Sequence, residues 1–313
     1  MRLTVLKSRA GRRYLILTIL LALAVYVVAP QLGDFRSSWQ LLRQPHLGWV
    51  AAAVSLTLAT YLAAALTYCF LSFKPLPYAT TVLVQFAAMF VNRLLPGGIG
   101  ALGANYAYLR KRYNRLQAGS LVAMNNLLGM IGHGLWLIIL VVFSSVAFLP
   151  AYHRSADNAF KVALIVLLSI IAAALFLRWP KLKTRLSAVI MQLAEYRREG
   201  WRLPAAVSSS MALTIANVLA LGACALALDV HLPLTSIFLI FTFGVGAGAA
   251  TPTPGGLGGF EAGLAAGFVA YRISSPTALA IALLYRLISY WLPLVLGAVA
   301  FIVCEKRGLF QSD

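Results

Sequence analysis

The sequence predicts an all-α integral membrane protein: a polytopic helical bundle with two inverted repeats, each containing a Pro/Gly-broken re-entrant hairpin. Hydrophobic residues make up 61% of the 313-residue chain and charged residues only 11%. A soluble domain carries about 25% charged residues, so this composition excludes an ordinary soluble globule. Long apolar runs and a repeated Pro-Gly-Gly segment are the two other observations. Together they predict a single transmembrane domain over residues 1–313.

The long apolar runs predict the membrane spans, because a helix needs about 20 mostly apolar residues to cross a bilayer. Six runs are of this kind: residues 14–30, 47–71, 117–149, 161–178, 203–228 and 277–303. The first follows a basic segment, as in a signal peptide, but Pro30 comes directly after Ala29 and no A-x-A cleavage pattern immediately precedes this proline. We therefore expect an uncleaved first span.

Two further apolar runs, 78–95 and 234–250, each end in a Gly/Pro-rich segment where a helix should break. Lys and Arg are enriched in cytoplasmic loops. The basic clusters at 110–115 and 178–202 fall on the same side as both termini only if each of these runs enters the membrane and returns. We therefore expect two re-entrant hairpins and cytoplasmic N- and C-termini.

The charge balance indicates that a membrane surface is the partner of the basic residues. Lys and Arg number 26 against 8 Asp and Glu, a formal net charge of +18. These cations lie between apolar runs rather than on a soluble face, so we expect no nucleic-acid partner. Residues 181–199 predict a basic amphipathic helix on the cytoplasmic leaflet. The alternative is a basic loop that only sets topology.

An internal repeat is the most informative feature. Pro96-Gly97-Gly98-Ile99-Gly100 recurs as Pro254-Gly255-Gly256-Leu257-Gly258. Each copy follows an apolar run and precedes a long span, which defines repeat 1 over 78–149 and repeat 2 over 234–303. In the topology above the two hairpins enter from opposite sides, an arrangement common among secondary transporters. The alternative is close helix packing, because Gly is common in membrane helices.

A broken helix at membrane depth favours an anion site. Proline ends the preceding helix and glycine permits positive φ and close backbone approach. The following half-helix then presents free N–H groups and a positive dipole end. We therefore expect the glycines of both copies to contact substrate. They are Gly97, Gly98, Gly100, Gly255, Gly256 and Gly258.

Three charged residues fall at membrane depth, where such residues are rare and usually functional. Glu261 is predicted to couple protonation or to form an ion pair with Arg286, two compatible roles. Arg286 either faces a cavity or snorkels to the interface. Arg93 suits a lipid phosphate if the first hairpin is real, since Arg offers a planar fork of donors. If 78–95 crosses fully, Arg93 is an interfacial charge.

Four polar or aromatic neighbours complete the substrate-binding prediction. Asn92 precedes Arg93 at the first break. Thr251 and Thr253 flank the second break and either satisfy backbone groups or touch substrate. Tyr290 follows Arg286 and belongs either to a cavity lining or to an interfacial aromatic belt.

Three segments resemble a known family. They are Asn92–Gly100, Thr251–Glu261 and Arg286–Pro293, with Gly297 beyond. They resemble the lysylphosphatidylglycerol synthase transmembrane region, or flippase-like domain family, which is the membrane half of the multiple peptide resistance factor proteins. The resemblance covers nearly the whole chain. It implies a multi-pass bacterial or archaeal membrane protein that moves polar lipids between leaflets, and we expect a location in the bacterial inner (cytoplasmic) membrane.

The full-length relatives carry a soluble aminoacyl-transferring domain after the membrane region. This chain ends at Asp313, about ten residues past its last predicted span, so we expect it not to make lysyl-lipid.

The expected function is therefore translocation of an anionic or zwitterionic lipid, or of a lipid-linked glycan carrier. No G-x-x-x-x-G-K-[ST] motif is present, and we expect no catalytic residues, metal or cofactor. The first alternative is a scaffold or accessory subunit for enzymes of envelope lipid or glycan synthesis. The second is a lipid-modifying membrane enzyme.

Overall fold

The computed structural model describes residues 41–42, 44–95, 99–143, 196, 199–251 and 253–310. Within these ranges the chain is helical and contains no strand, which confirms the predicted helical class. The predicted spans 14–30 and 161–178 and the glycines Gly97 and Gly98 lie outside the described residues. So does the predicted amphipathic helix 181–199, except for residues 196 and 199.

The described helices are numbered in chain order. They are α1 (Leu47–Leu71), α2 (Tyr78–Leu94), α3 (Ile99–Arg110), α4 (Arg115–Phe143), α5 (Arg202–Leu226), α6 (Leu234–Ala250), α7 (Gly259–Ala270), α8 (Ser275–Arg286) and α9 (Leu292–Lys306). A 3-10 turn, Pro254–Gly256, precedes α7, and a π-helical turn, Leu287–Trp291, joins α8 to α9.

Four helical segments are long and apolar enough to cross a membrane. They are Leu47–Leu71, Arg115–Ile139, Arg202–Leu226 and Ser275–Lys306. Each has at least 25 residues, which gives about 37 Å at 1.5 Å per residue, against a hydrocarbon core of about 30 Å. They coincide with four of the six predicted spans, so a multi-pass membrane protein is confirmed.

The two copies of the repeat have matching helix lengths. Helices α2 and α6 each contain 17 residues, and α3 and α7 each contain 12. Seventeen residues reach about 25 Å, short of a full hydrocarbon core. The second pair is interrupted at the predicted Pro/Gly segment, and the described part of the first pair ends at residue 95 and resumes at residue 99. The lengths agree with two equivalent hairpins, whose re-entry and opposite orientation in the membrane stay predictions.

The arms of the second hairpin, α6 and α7, pack against each other in antiparallel directions. A Cβ added at Gly267 would lie 3.0 Å from Ile240, and one added at Gly263 would lie 3.0 Å from the Gly244 Cα. Later residues of α7 therefore contact earlier residues of α6, as expected for an antiparallel pair. Small residues permit this close approach, as is usual between membrane helices.

Polar pairs join the arms of the first hairpin. Gln85 Nε2 on α2 donates to Asn105 Oδ1 on α3 at 2.9 Å, and the hydroxyls of Thr81 and Tyr108 lie 3.1 Å apart. All four side chains are buried. Because water is absent from a bilayer core, such groups need protein partners, and here each arm supplies them to the other.

The chain divides into two compact units that interleave along the sequence. The first combines the chain at 41–55 and 92–99 with Val218–Leu292, and the second combines Leu56–Val91, 100–217 and 293–313. The second hairpin and most of the predicted site residues belong to the first unit. The core of the second unit includes the fully buried Leu71, Val84, Leu121 and Met124.

Candidate functional site

The tip of the second hairpin is a short run of left-handed backbone. After α6 ends at Ala250, the chain passes through Pro254–Gly256 and resumes as a helix at Gly259. Gly255, Gly256 and Gly258 have φ of 62°, 67° and 86°. Residues with a Cβ rarely adopt such angles, which is why glycines occupy this break.

The two threonines at this tip satisfy backbone carbonyls. Thr251 Oγ1 donates to Ala247 O and Thr253 Oγ1 donates to Leu257 O, both at 2.8 Å. Of the two roles that the sequence left open, the structure places their hydroxyls on the backbone around the break. Contact with a substrate stays a prediction for both residues.

Glu261 and Arg286 form an ion pair that fixes the tip. Arg286 Nε lies 2.6 Å from Glu261 Oε1, and the two side chains are 10% and 13% exposed. Glu261 Oε2 accepts the N–H of Gly258 at 2.8 Å, as expected for a carboxylate in the first turn of a helix. Arg286 Nη2 donates to the carbonyl of Gly255 at 2.8 Å. The pair therefore ties α8 to the start of α7 and to the 3-10 turn.

Arg93, in the last turn of α2, donates to the π-helical turn. Its Nη1 reaches the carbonyl of Tyr290 at 2.5 Å and its Nη2 reaches that of Ser289 at 2.6 Å. An α-helical bond to the Ser289 carbonyl would need an N–H at position 293, which is proline. Proline thus removes the α-helical donor of this carbonyl, and Arg93 donates to it.

The Tyr290 ring lies against both arginines. The guanidinium carbons of Arg93 and Arg286 are 4.7 Å and 4.6 Å from its centroid, within the range of a cation–π interaction. A Cβ added at Gly255 would lie 2.5 Å from the ring, so the hairpin tip also packs on it. We call Arg93, Gly255, Glu261, Arg286 and Tyr290 the Tyr290 cluster.

The remaining predicted residues stand apart from this cluster or near its edge. Gly258 and Gly256 belong to the same tip, and Asn92 is a half-buried neighbour of Arg93 on α2. Gly100 is buried in the first turn of α3 and belongs to the second compact unit. Gly97 and Gly98 lie outside the described residues.

Two residues that contact the arginines of the site, Phe260 and Ser289, were not predicted from the sequence. The Phe260 ring lies 4.7 Å from the Arg286 guanidinium carbon, and the Ser289 carbonyl accepts from Arg93. Signals for both existed: Phe260 directly precedes Glu261, and a proline four residues after Ser289 marks a carbonyl that lacks its helical donor.

The cluster is chemically suited to an anion. It combines two guanidinium groups with one carboxylate, and Arg93, Arg286 and Tyr290 are only 6%, 8% and 5% exposed. Guanidinium groups bind phosphate through paired, charge-assisted hydrogen bonds. Among the described residues there is no group of three or more His, Cys, Asp or Glu side chains that could hold a metal ion.

The fold and this cluster define a class: a multi-pass helical membrane protein with buried arginines beside a broken helix. The family model described as lysylphosphatidylglycerol synthase TM region matches residues 15–297. The chain belongs to this family, which confirms the resemblance seen in the sequence. The family is a membrane domain that is often considered flippase-like. No curated protein matches the chain.

Proposed function

We propose that this protein moves an anionic or zwitterionic lipid, or a lipid-linked glycan carrier, between the leaflets of a bacterial inner membrane. Membership of a membrane-domain family considered flippase-like supports this proposal. The observation that carries it is the pair of buried arginines on one tyrosine ring, beside a helix broken by glycines. Charged side chains at membrane depth are costly and usually mark a transport pathway.

The lipid phosphate is the group that the cluster would bind. In the present conformation the arginine donors are directed to backbone carbonyls and to Glu261. A head-group phosphate offers the same kind of acceptor with more negative charge, so it can replace these partners on Arg93 and Arg286. The glycine-rich tip then brings backbone N–H groups close to the phosphate.

Movement across the membrane requires the cluster to open to each side in turn. The low exposure of Arg93, Arg286 and Tyr290 describes a closed conformation, which a head group enters only after the helices around it separate. In this conformation Glu261 balances the charge of Arg286. Protonation of Glu261 would release Arg286 to the phosphate, which gives a route for coupling to a proton gradient.

The proposal makes this chain a transporter rather than an enzyme. The family region is a membrane domain and is not itself catalytic, which is compatible with that assignment. The chain contains no P-loop motif, which favours a gradient or facilitated movement over direct use of ATP.

A reconstitution assay with a panel of lipids tests the proposal. The full chain is placed in liposomes with a fluorescent phosphatidylglycerol, a phosphatidylethanolamine and a phosphate-free glucosyl diacylglycerol, and a membrane-impermeant quencher reports leaflet exposure over time. We expect protein-dependent movement of the phosphate-bearing lipids and little movement of the glycolipid. Equal movement of all three would contradict a phosphate site. Movement of none would favour the scaffold alternative, and a chemically altered lipid would favour the enzyme alternative.

A further inference from the structure

Three spanning helices have ends that lie in the second compact unit and are tied together by hydrogen bonds. Helix α1 ends at Leu71, α4 begins at Arg115 and α5 begins at Arg202. Arg202 Nη1 donates to the carbonyl of Ser72, just past α1, at 2.6 Å. The segment before α4 is joined to the same stretch by the hydroxyl of Tyr113, 2.8 Å from Ser72 Oγ. Because spans end at the membrane surface, these tied ends form an interfacial layer.

Further hydrogen bonds brace the connections in this layer. Lys74 Nζ donates to the carbonyl of Arg112 at 2.6 Å, and Arg112 Nη1 donates to the carbonyl of Pro75 at 2.8 Å. The Lys74 N–H donates to the Tyr113 hydroxyl at 2.7 Å. Asn114 Oδ1 accepts the N–H of Gln117 and caps α4.

The layer is strongly cationic. Among the described residues of the segments that these hydrogen bonds join, six side chains are basic and one, Glu199, is acidic and pairs with Arg202. We call the basic set the basic face. Its members are Lys74, Arg110, Lys111, Arg112, Arg115 and Arg202. Trp201 stands beside it with 60% of its surface exposed, and tryptophan is enriched at the level of lipid head groups.

We propose that the basic face is a binding site for the phosphate groups of anionic phospholipids in the leaflet that it borders. Lys and Arg side chains near an anionic membrane surface are attracted to its phosphate groups. Lys111 and Arg115 are exposed and take no part in the bracing hydrogen bonds described above, so their donors can reach a head group. The bracing hydrogen bonds hold the backbone that carries these side chains, which lowers the conformational entropy lost when a head group binds. This site shares no residue with the Tyr290 cluster and does not depend on the transport function.

Lipid retention by the full chain tests the assignment. The protein is reconstituted in nanodiscs of phosphatidylcholine with a minor fraction of phosphatidylglycerol and is then extracted and purified again. Mass spectrometry measures how much phosphatidylglycerol each protein molecule retains. We expect enrichment over the input ratio, reduced several-fold in the double variant Lys111→Gln/Arg115→Gln and weakened by salt. The charge-matched control is Lys306→Gln/Arg307→Gln, two exposed residues at the end of α9, which should retain the lipid.

Each other outcome overturns the assignment. An equal loss in both double variants would mean attraction by bulk charge rather than a built site. Thermal stabilisation by free glycerol phosphate equal to that by phosphatidylglycerol nanodiscs would assign a soluble phosphate. Unchanged lipid retention in the first double variant, with loss of a co-purifying acidic protein, would assign a protein partner. Helical content and monodispersity, measured for every variant, keep misfolding separate from these outcomes.

Discussion

Tyr290 is the residue that connects the charged groups of the candidate site. Its ring faces the guanidinium groups of Arg93 and Arg286, its carbonyl accepts from Arg93, and its edge packs on Gly255. An arginine that is buried among apolar side chains needs several partners to offset lost hydration. The ring and the carbonyls supply them at once, so the two arginines are held close to one another through a shared neighbour.

The contact between Gly255 and Tyr290 yields a prediction with an internal control. Gly255→Ala places a Cβ at φ 62° and ψ 18°, close to the left-handed helical region, a strain of about 1 to 2 kcal/mol. That Cβ would also lie 2.5 Å from the Tyr290 ring. We expect Gly255→Ala to lower the free energy of unfolding by about 1 to 3 kcal/mol more in the unmodified chain than in a Tyr290→Ala background, where the ring is absent. Equilibrium unfolding in detergent measures the difference, and equal losses would contradict the described packing.

The helical hairpin α6–α7 is the element that carries the ion pair and the glycine-rich tip. Its arms lie close enough that a Cβ at Gly263 would come within 2.7 Å of the Ala247 Cβ. The two helices cannot separate or slide past each other without displacing Glu261, which lies in the first turn of α7. Helix packing in this element therefore determines the geometry of the site.

Substitution within this hairpin tests its tight packing. Gly263→Val should force the arms apart and lower the free energy of unfolding by about 1 to 3 kcal/mol. The matched control is Gly246→Val, which adds the same side chain to α6 where nothing lies within 4 Å. We expect the control to be close to neutral, because valine is no worse than glycine in a helix. A control as destabilised as Gly263→Val would show that helix propensity, not packing, dominates.

Much of this architecture could be predicted from the sequence, and the remainder has a physical reason. Span 203–228 is confirmed because length and apolarity alone determine it. The break before α7 is confirmed because proline and glycine act locally. The bond from Arg93 to the Ser289 carbonyl is a tertiary feature, because it joins residues 196 positions apart. Pro293 marks the carbonyl in the sequence, but no local pattern specifies that Arg93 is its donor.

For the whole molecule, the basic residues fall into two sets for which we propose different roles. Most of the net charge of +18 comes from basic residues between the spans, and six of them form the basic face. Arg93 and Arg286 are instead buried beside Tyr290. We propose lipid anchoring for the first set and head-group translocation for the second. The two assignments can fail separately, since variants of the basic face leave the Tyr290 cluster intact.

The most direct test is the rate of phosphatidylglycerol movement in liposomes that contain Arg93→Gln or Arg286→Gln protein. Both variants remove a cation that the account places on the lipid phosphate, and a hydrogen bond to a charged group contributes about 1.5 to 3 kcal/mol. We predict at least about a tenfold slower movement for each. Arg272→Gln, which changes an exposed arginine after α7, is the control and should move lipid like the unmodified chain. Unchanged rates for both site variants in well-folded protein would contradict the account.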